Sequence, residues 1–331
     1  MSKLRWGVLS TAKIGREKVI PALQKSTHNQ VLAICSRDAQ SARTVAESLG
    51  IERAYGSYDE LLADPEIDAI YNPLPNHLHV DWSIKALQAG KHVLCEKPLG
   101  LNTADAQRLV DAANAHPRLK VMEAFMYRFH PQWQLAKQLI DEGRIGKLYA
   151  VHSHFSYNNR EPNNIRNKVD MGGGALLDIG CYSISLSRWL FNEEPQQVLG
   201  QITPMPGEEV DCLTSGLMEF THGSASFTAA TKIEPIQYAE AIGDEGSLYI
   251  ERPFYNDSSE PVQRIRITRN RVQEIIEVPD NNHYSAMGDA FALSVFNNTP
   301  VPTPLADAIA NMRVIDAIFN SASERKWVAL K

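Results

Sequence analysis

Through the first third of the chain, short apolar runs alternate with segments whose apolar residues recur every three or four positions, the pattern of parallel strands joined by crossover helices. The runs predict strands at residues 5–9, 31–35, 69–71, 92–95 and 120–123, with a short one at 54–55. Helical periodicity falls between them at 15–25, 39–49, 78–89 and 103–116, each stopping near Gly, Pro or a polar turn. After Glu123 the texture changes: a helix at 131–142, a strand-like run at 148–156, then a Gly-rich loop opening a helix at 175–190. Consecutive strand-like runs follow at 213–220, 224–231, 238–243, 247–250 and 262–268, spaced like an antiparallel meander, and helices at 283–297 and 305–322 close the chain. The fold class expected is α/β, with a doubly wound parallel sheet over residues 1–122. An α+β domain with a large, open, mostly antiparallel sheet is expected over residues 123–331. Helices on one face of a broad sheet leave the other face to cover, so a homodimer or higher homo-oligomer through the C-terminal sheet is expected.

At 331 residues the chain is long enough for two cores, and 44% hydrophobic with 22% charged residues is ordinary globular composition. A formal charge of −6 without a basic stripe argues against nucleic acid as a partner. The first residues run straight into an apolar strand and no apolar run reaches membrane-spanning length, so neither export nor a membrane partner is expected and the cytoplasm is the predicted compartment. Cys35, Cys95, Cys181 and Cys212 are far apart and read as free thiols. His152 and His154 alternate along one strand, but no third ligand accompanies them at a suitable spacing, and no metal is expected.

The first strand turns into a helix through Ser10, Thr11, Ala12, Lys13, Ile14 and Gly15, where a dinucleotide-binding turn carries Gly at the positions of Ser10, Ala12 and Gly15. Ser and Ala are small enough for backbone to approach a pyrophosphate, and the following helix start offers N–H groups to an anion. The second strand ends in Ser36 and Arg37 rather than in a carboxylate placed for a ribose diol. A hydroxyl and a planar guanidinium fork suit a 2′-phosphate, so NADP is the expected cofactor. Two further segments leave strand ends toward the same sheet edge: Pro73, Leu74, Asn76 and His79 in the first, and Glu96, Lys97 and Pro98 in the second.

In this order and spacing the turn at 7–15, the run Leu74-Pro75-Asn76-His77-Leu78-His79, the triplet Glu96-Lys97-Pro98 and the stretch from Gly172 to Tyr182 resemble the glucose-fructose oxidoreductase, inositol dehydrogenase and rhizopine-catabolism family, Gfo/Idh/MocA. The resemblance spans nearly the whole chain and is nearest the branch of dimeric dihydrodiol dehydrogenases, NADP-dependent D-xylose dehydrogenases and related sugar ketoreductases. It implies a Rossmann domain and a catalytic cluster of Lys97, Asp178 and Tyr182. Inositol-type members carry His at the position of Tyr182, which leans away from inositol oxidation.

The residue types fit that chemistry. Hydride leaving a carbinol requires a base for the hydroxyl proton, and a phenol beside an ammonium provides one. Asp178 lies four residues before Tyr182, so both side chains share a helix face and Asp178 can hold the lysine or a substrate hydroxyl. This helix would face the cofactor from the second domain. Glu96 is expected on the nicotinamide-side ribose, Asn76 and His79 lining the same cleft, and Phe125, Arg128 and Arg166 on the substrate. The activity expected is oxidation of a sugar or cyclic diol, of D-xylose or trans-dihydrodiol type, with NADP. Alternatives are an NADPH-dependent reductase of a sugar or nucleotide-sugar ketone, which uses the same acid–base pair in reverse, and a non-catalytic NADP sensor.

Overall fold

The computed structural model describes residues 3–255, 262–279 and 281–330. Met1, Ser2 and Lys331, which end the two expected domains, lie outside the described residues. The chain forms two compact units, Met1–Met126 with Asn282–Ile309, and Tyr127–Asn281 with Ala310–Lys331.

In the first unit, strands β1 (Leu4–Leu9), β2 (Asn29–Cys35), β3 (Arg53–Tyr55), β4 (Ala69–Asn72), β5 (His92–Cys95) and β6 (Val121–Glu123) form one sheet in the order β3-β2-β1-β4-β5-β6. Every pairing is parallel. Central strands of such a sheet are covered on both faces, and all four residues of β4 are buried. Helices Ala39–Leu49, His79–Gln88 and Thr103–Ala115 stand where the periodicity predicts them, to within a residue at each end. Asp38 caps the first by accepting from Gln40 N at 3.0 Å, and Gly50 ends it in the left-handed region. Helix Tyr58–Ala63 was not expected; at six residues it is too short to show a period. Strand order reverses between β1 and β4, so the crevice at the carboxyl ends of these two strands is where such sheets take ligands.

The late helix His283–Phe296 also belongs to this unit. Phe291 packs against Trp6 with ring centres 5.3 Å apart, and the Trp6 indole donates to Asn29 Oδ1 at 2.7 Å. Asn29 in turn donates to Asp289 Oδ1 at 3.0 Å. The sequence pattern breaks once, at residue 122, whereas packing returns this segment to the first unit.

The second unit is built on β7 (Leu148–Asn158), β8 (Gln197–Ile202), β9 (Leu213–Phe220), β10 (Gly223–Ala230), β11 (Lys232–Gly243), β12 (Ser247–Ile250), β13 (Val262–Arg269), β14 (Val272–Pro279) and β15 (Val328–Ala329). They form one sheet in the order β14-β13-β12-β11-β7-β10-β9-β8-β15. The expected meander is corrected in one respect: β7 inserts between β10 and β11, parallel to the first and antiparallel to the second. Strands β8, β14 and β15 carry weak patterns. Gly200 interrupts β8 because a Cβ there would lie 2.4 Å from the Ile318 carbonyl oxygen, and β14 is an edge strand exposed along most of its length. Side chains alternate across β7, Val151 and Ser153 buried and His152 and His154 on the opposite face. The segment 176–191 packs on the buried face against β7, β9 and β10. Among the described residues no helix is long and apolar enough to cross a membrane.

Candidate active site

At the carboxyl edge of the parallel sheet, Ser10 adopts φ +76°, the left-handed region that a glycine would occupy without strain. Its hydroxyl accepts from Ala12 N at 3.3 Å, a local turn that holds the serine in that conformation. Thr11 Oγ1 lies 3.4 Å from Ser41 Oγ, joining this turn to the start of the helix Ala39–Leu49. Lys13 is exposed and Ile14 half-buried, while a Cβ on Gly15 would meet its nearest neighbour, Tyr71, at an ordinary 3.7 Å. The turn therefore keeps the conformation of the glycine pattern at position 10 without the glycine.

Beside it, Ser36 accepts from Asp38 N at 3.2 Å and Arg37 is exposed near the Tyr58 phenol. Burial raises the Tyr58 pKa and the Arg37 charge opposes it. Asp38, which the sequence reading passed over, is the nearest carboxylate in sequence to the ribose position; its side chain is committed to the helix cap on Gln40 N. A charged fork next to a carboxylate that is already occupied fits a phosphate better than a bare diol.

Below the β4 and β5 ends, Tyr71 donates to Glu96 Oε1 at 2.7 Å, and Asn72 Nδ2 donates to both the His79 carbonyl and Ser83 Oγ at 3.0 Å. Pro73 and Leu74 are buried, while Asn76 and Lys97 are half-buried. His79, expected to line a ligand cleft, is a buried clamp. Its Nδ1 lies 2.8 Å from the Pro98 carbonyl oxygen and its Nε2 2.7 Å from that of Leu74, so the neutral ring donates to one of the two and packs against the other, wedged between the loops that carry Asn76 and Lys97. Burial pushes its pKa down to about 4, with Lys97 and His77 adding to the effect and the two carbonyls opposing it.

In the second unit, Gly172–Gly174 leads into a π-helical turn, Leu176–Gly180, which continues as the helix Cys181–Phe191. Asp178 and Tyr182 project from it, both buried. Oδ2 of Asp178 accepts from the Tyr157 phenol at 2.6 Å and from Arg166 Nε at 3.0 Å. The nearby charge of Asp178 raises the Arg166 pKa, and burial followed by the same charge raises that of Tyr157, so both remain protonated donors. The Tyr182 ring packs against Phe254, Tyr127 and Phe155 with centres 5.5, 5.8 and 5.9 Å away. This arrangement holds one carboxylate in a single orientation near a buried phenol, the requirement for directed proton transfer.

Two residues expected on the substrate are buried in the structure. Arg128 is buried, donating Nη2 to Ser185 Oγ at 2.8 Å, and Phe125 is fully buried. Tyr157 carries no signal in the sequence, because its contact with Asp178 follows from β7 running beside the turn Leu176–Gly180, and no local pattern announces that. His152 Nδ1 lies 2.6 Å from Ser226 Oγ and His154 Nε2 3.0 Å from Ser156 Oγ, each partnered by a hydroxyl on the face of β7 away from Asp178.

Residues 4–125 match an oxidoreductase family with an NAD-binding Rossmann fold, Gfo/Idh/MocA, and residues 133–249 match a C-terminal domain of the same family. An uncharacterized oxidoreductase of Rhizobium meliloti is 38% identical over 99% of both chains. A D-xylose 1-dehydrogenase (NADP(+)) of Haloferax volcanii is 37% identical over 99% of this chain and 100% of its own. Among solved structures, a 3-ketoreductase from Actinomadura kijaniata in complex with NADP and TDP-benzene superposes with a TM-score of 0.90 at 30% identity, covering 97% of this chain and 98% of that one.

The His79 clamp has a measurable consequence. With a folded-state pKa of about 4 against an ordinary 6.5, the unfolded chain takes up the proton first. The stabilisation is therefore full above pH 6.5 and lost as pH falls toward 4, ~3 kcal/mol in all. Urea unfolding across that range should show wild type losing that much more stability than His79→Gln; equal slopes would rule out a buried neutral ring.

Proposed function

The chain belongs to the Gfo/Idh/MocA oxidoreductase family, and from that premise we propose that it transfers a hydride between NADP(H) and a hydroxyl or carbonyl carbon of a sugar or cyclic diol. The observation that carries the reading is the Asp178 carboxylate, held by Tyr157 and Arg166 at the turn that presents Tyr182.

NADP, when bound, accepts or gives the hydride. The chain's own residues do the rest. The Ser10–Ile14 turn and the helix start behind it offer N–H groups to the pyrophosphate, and Ser36 and Arg37 take the 2′-phosphate. Glu96 and Asn76 hold the ribose and nicotinamide side. Tyr182, as phenolate, accepts the hydroxyl proton during oxidation and, as phenol, returns it during reduction. Lys97 supplies positive charge for whichever oxygen becomes negative, and Asp178 fixes the direction of the hydroxyl that reacts. Arg166 is assigned to a substrate hydroxyl as well as to Asp178, because only its Nε is committed to the carboxylate. D-xylose or a trans-dihydrodiol suits the oxidative direction. The likeness to a 3-ketoreductase solved with a TDP ligand supports a nucleotide-sugar ketone as the alternative.

Nicotinamide absorbance over a panel of aldoses, a trans-dihydrodiol and a nucleotide-sugar ketone tests the reading. Turnover should favour NADP(H) over NAD(H). Arg37→Ala should raise KM for NADP roughly 10- to 100-fold, and Lys97→Ala and Tyr182→Phe should each lower kcat by about 10²- to 10⁴-fold. Equal use of both cofactors by wild type, or normal turnover by the two catalytic variants, would refute it; tight NADP binding without turnover on any substrate would favour a sensor.

We also propose self-association through the open face of the nine-stranded sheet. Leu217, Ile236 and Ile275 are large, exposed apolar side chains on that face. Sedimentation should give a multiple of the chain mass of 36.9 kDa, reduced in Leu217→Arg; a monomeric wild type would dispose of the idea.

A further inference from the structure

We propose that Asp211 is a positioning residue for the reaction, fixing the first residues of the turn that carries Asp178; the inference rests on the reading of Asp178 given above. The turn Leu176–Gly180 starts at Ala175 without a capping side chain of its own. The N–H groups left open at such a start need acceptors. Asp211, 35 residues later in the chain than Leu176, supplies them: Oδ2 accepts from Leu176 N at 2.7 Å, and its carbonyl oxygen accepts from Ala175 N at 2.5 Å. Thr214 Oγ1 donates to the same Oδ2 at 2.8 Å and sets the carboxylate's orientation.

The preceding loop is shaped around this carboxylate. A Cβ on Gly174 would lie 1.9 Å from Asp211 Oδ1, and the residue sits at φ +112°, so no other residue fits there without rebuilding the loop. Gly174 N also donates to the Arg166 carbonyl at 2.9 Å. The contacts thus close a ring. Asp211 fixes residues 174–176, these fix both Asp178 and the backbone of Arg166, and the Arg166 side chain returns to Asp178. A shift of the turn by a few tenths of an ångström would misalign the carboxylate with its two donors, and with it the group that directs the proton.

The arrangement is held against a cost. Burial pushes the Asp211 pKa up to about 6, and the Leu176 N–H and Thr214 hydroxyl recover only part of the difference. Above that pH the side chain is the charged acceptor the turn requires; below it, protonation removes a strong acceptor. The titratable groups around it are Cys212, with Lys232 and Glu208 acting on that thiol, and Tyr157, Arg166 and Asp178 across the glycine loop.

Steady-state kcat and KM from pH 5 to 9, with NADPH fluorescence for cofactor binding and thermal unfolding to verify folding, test the proposal on Asp211→Asn and Thr214→Val. Asp211→Asn should lower kcat roughly tenfold while the NADPH Kd changes less than about twofold, and it should lose an acid limb of kcat centred near pH 6. Thr214→Val should keep the limb and move it to higher pH, because the carboxylate loses a donor. A folded Asp211→Asn with wild-type kcat and pH profile overturns the proposal, as does an unmoved limb in Thr214→Val, which decides the matter alone if Asp211→Asn fails to fold. Asp178→Asn separates the two levels. If it is inactive while Asp211→Asn is normal, only this inference falls; if it is fully active, the functional reading beneath it falls.

Discussion

Oδ2 of Asp178 accepts from a phenol at 2.6 Å and from a guanidinium nitrogen at 3.0 Å, and the local architecture of the second unit can be followed outward from that oxygen. A buried carboxylate is costly unless its lone pairs are filled, and here the donors come from two separate segments. Tyr157 arrives on β7, which reaches the site because it inserts between β10 and β11 in the sheet. Arg166 arrives on a short loop closed onto Gly173 and Gly174, whose missing side chains permit the close approach. The π-helical turn Leu176–Gly180 then presents Asp178 ahead of Tyr182. Raised pKa values on Tyr157 and Arg166 keep both protonated, so both go on donating to the carboxylate and hold its orientation.

The first unit solves a different problem, which is to bring several backbone and side-chain donors to one sheet edge without crowding it. The reversal of strand order between β1 and β4 opens the crevice, and the left-handed Ser10 turn and the helix starts supply donors there. The exposed Arg37 brings positive charge, while the Asp38 carboxylate caps the following helix. The buried His79 ring lies between the Asn76 and Lys97 loops, its one N–H donated to a main-chain carbonyl. Polar residues thus divide into those that face outward and those that keep the first group in register.

This division explains what could be read from the sequence. The six parallel strands and the long helices follow from hydrophobic period alone, Ser10 and Arg37 stand just past strand ends, and Lys97, Asp178 and Tyr182 fall on motif positions that only the family resemblance marks. The order of the large sheet does not follow, because β7 joins strands more than 60 residues later in the chain and its pairing depends on long-range packing. His79 and Arg128 share the composition of ligand-binding residues, but their burial, His79 beside two main-chain carbonyls and Arg128 donating to Ser185, does not follow from the sequence. Tyr157 and Asp211 were invisible for the complementary reason: each acts on the turn at 174–178 from a distant segment, with no motif of its own. The helix His283–Phe296 shows the same limit at the scale of domains, since its period predicts a helix but not the sheet that Phe291 packs against.

The central claim is that Tyr157 and Asp178 act as one unit in the chemical step. Single-turnover hydride transfer, measured for wild type, Tyr157→Phe, Asp178→Asn and the double variant, tests it most directly. Coupling predicts that Tyr157→Phe slows transfer on the order of tenfold in wild type and adds almost nothing once Asp178 is Asn. The same slowing in both backgrounds, or none in wild type, would contradict the account.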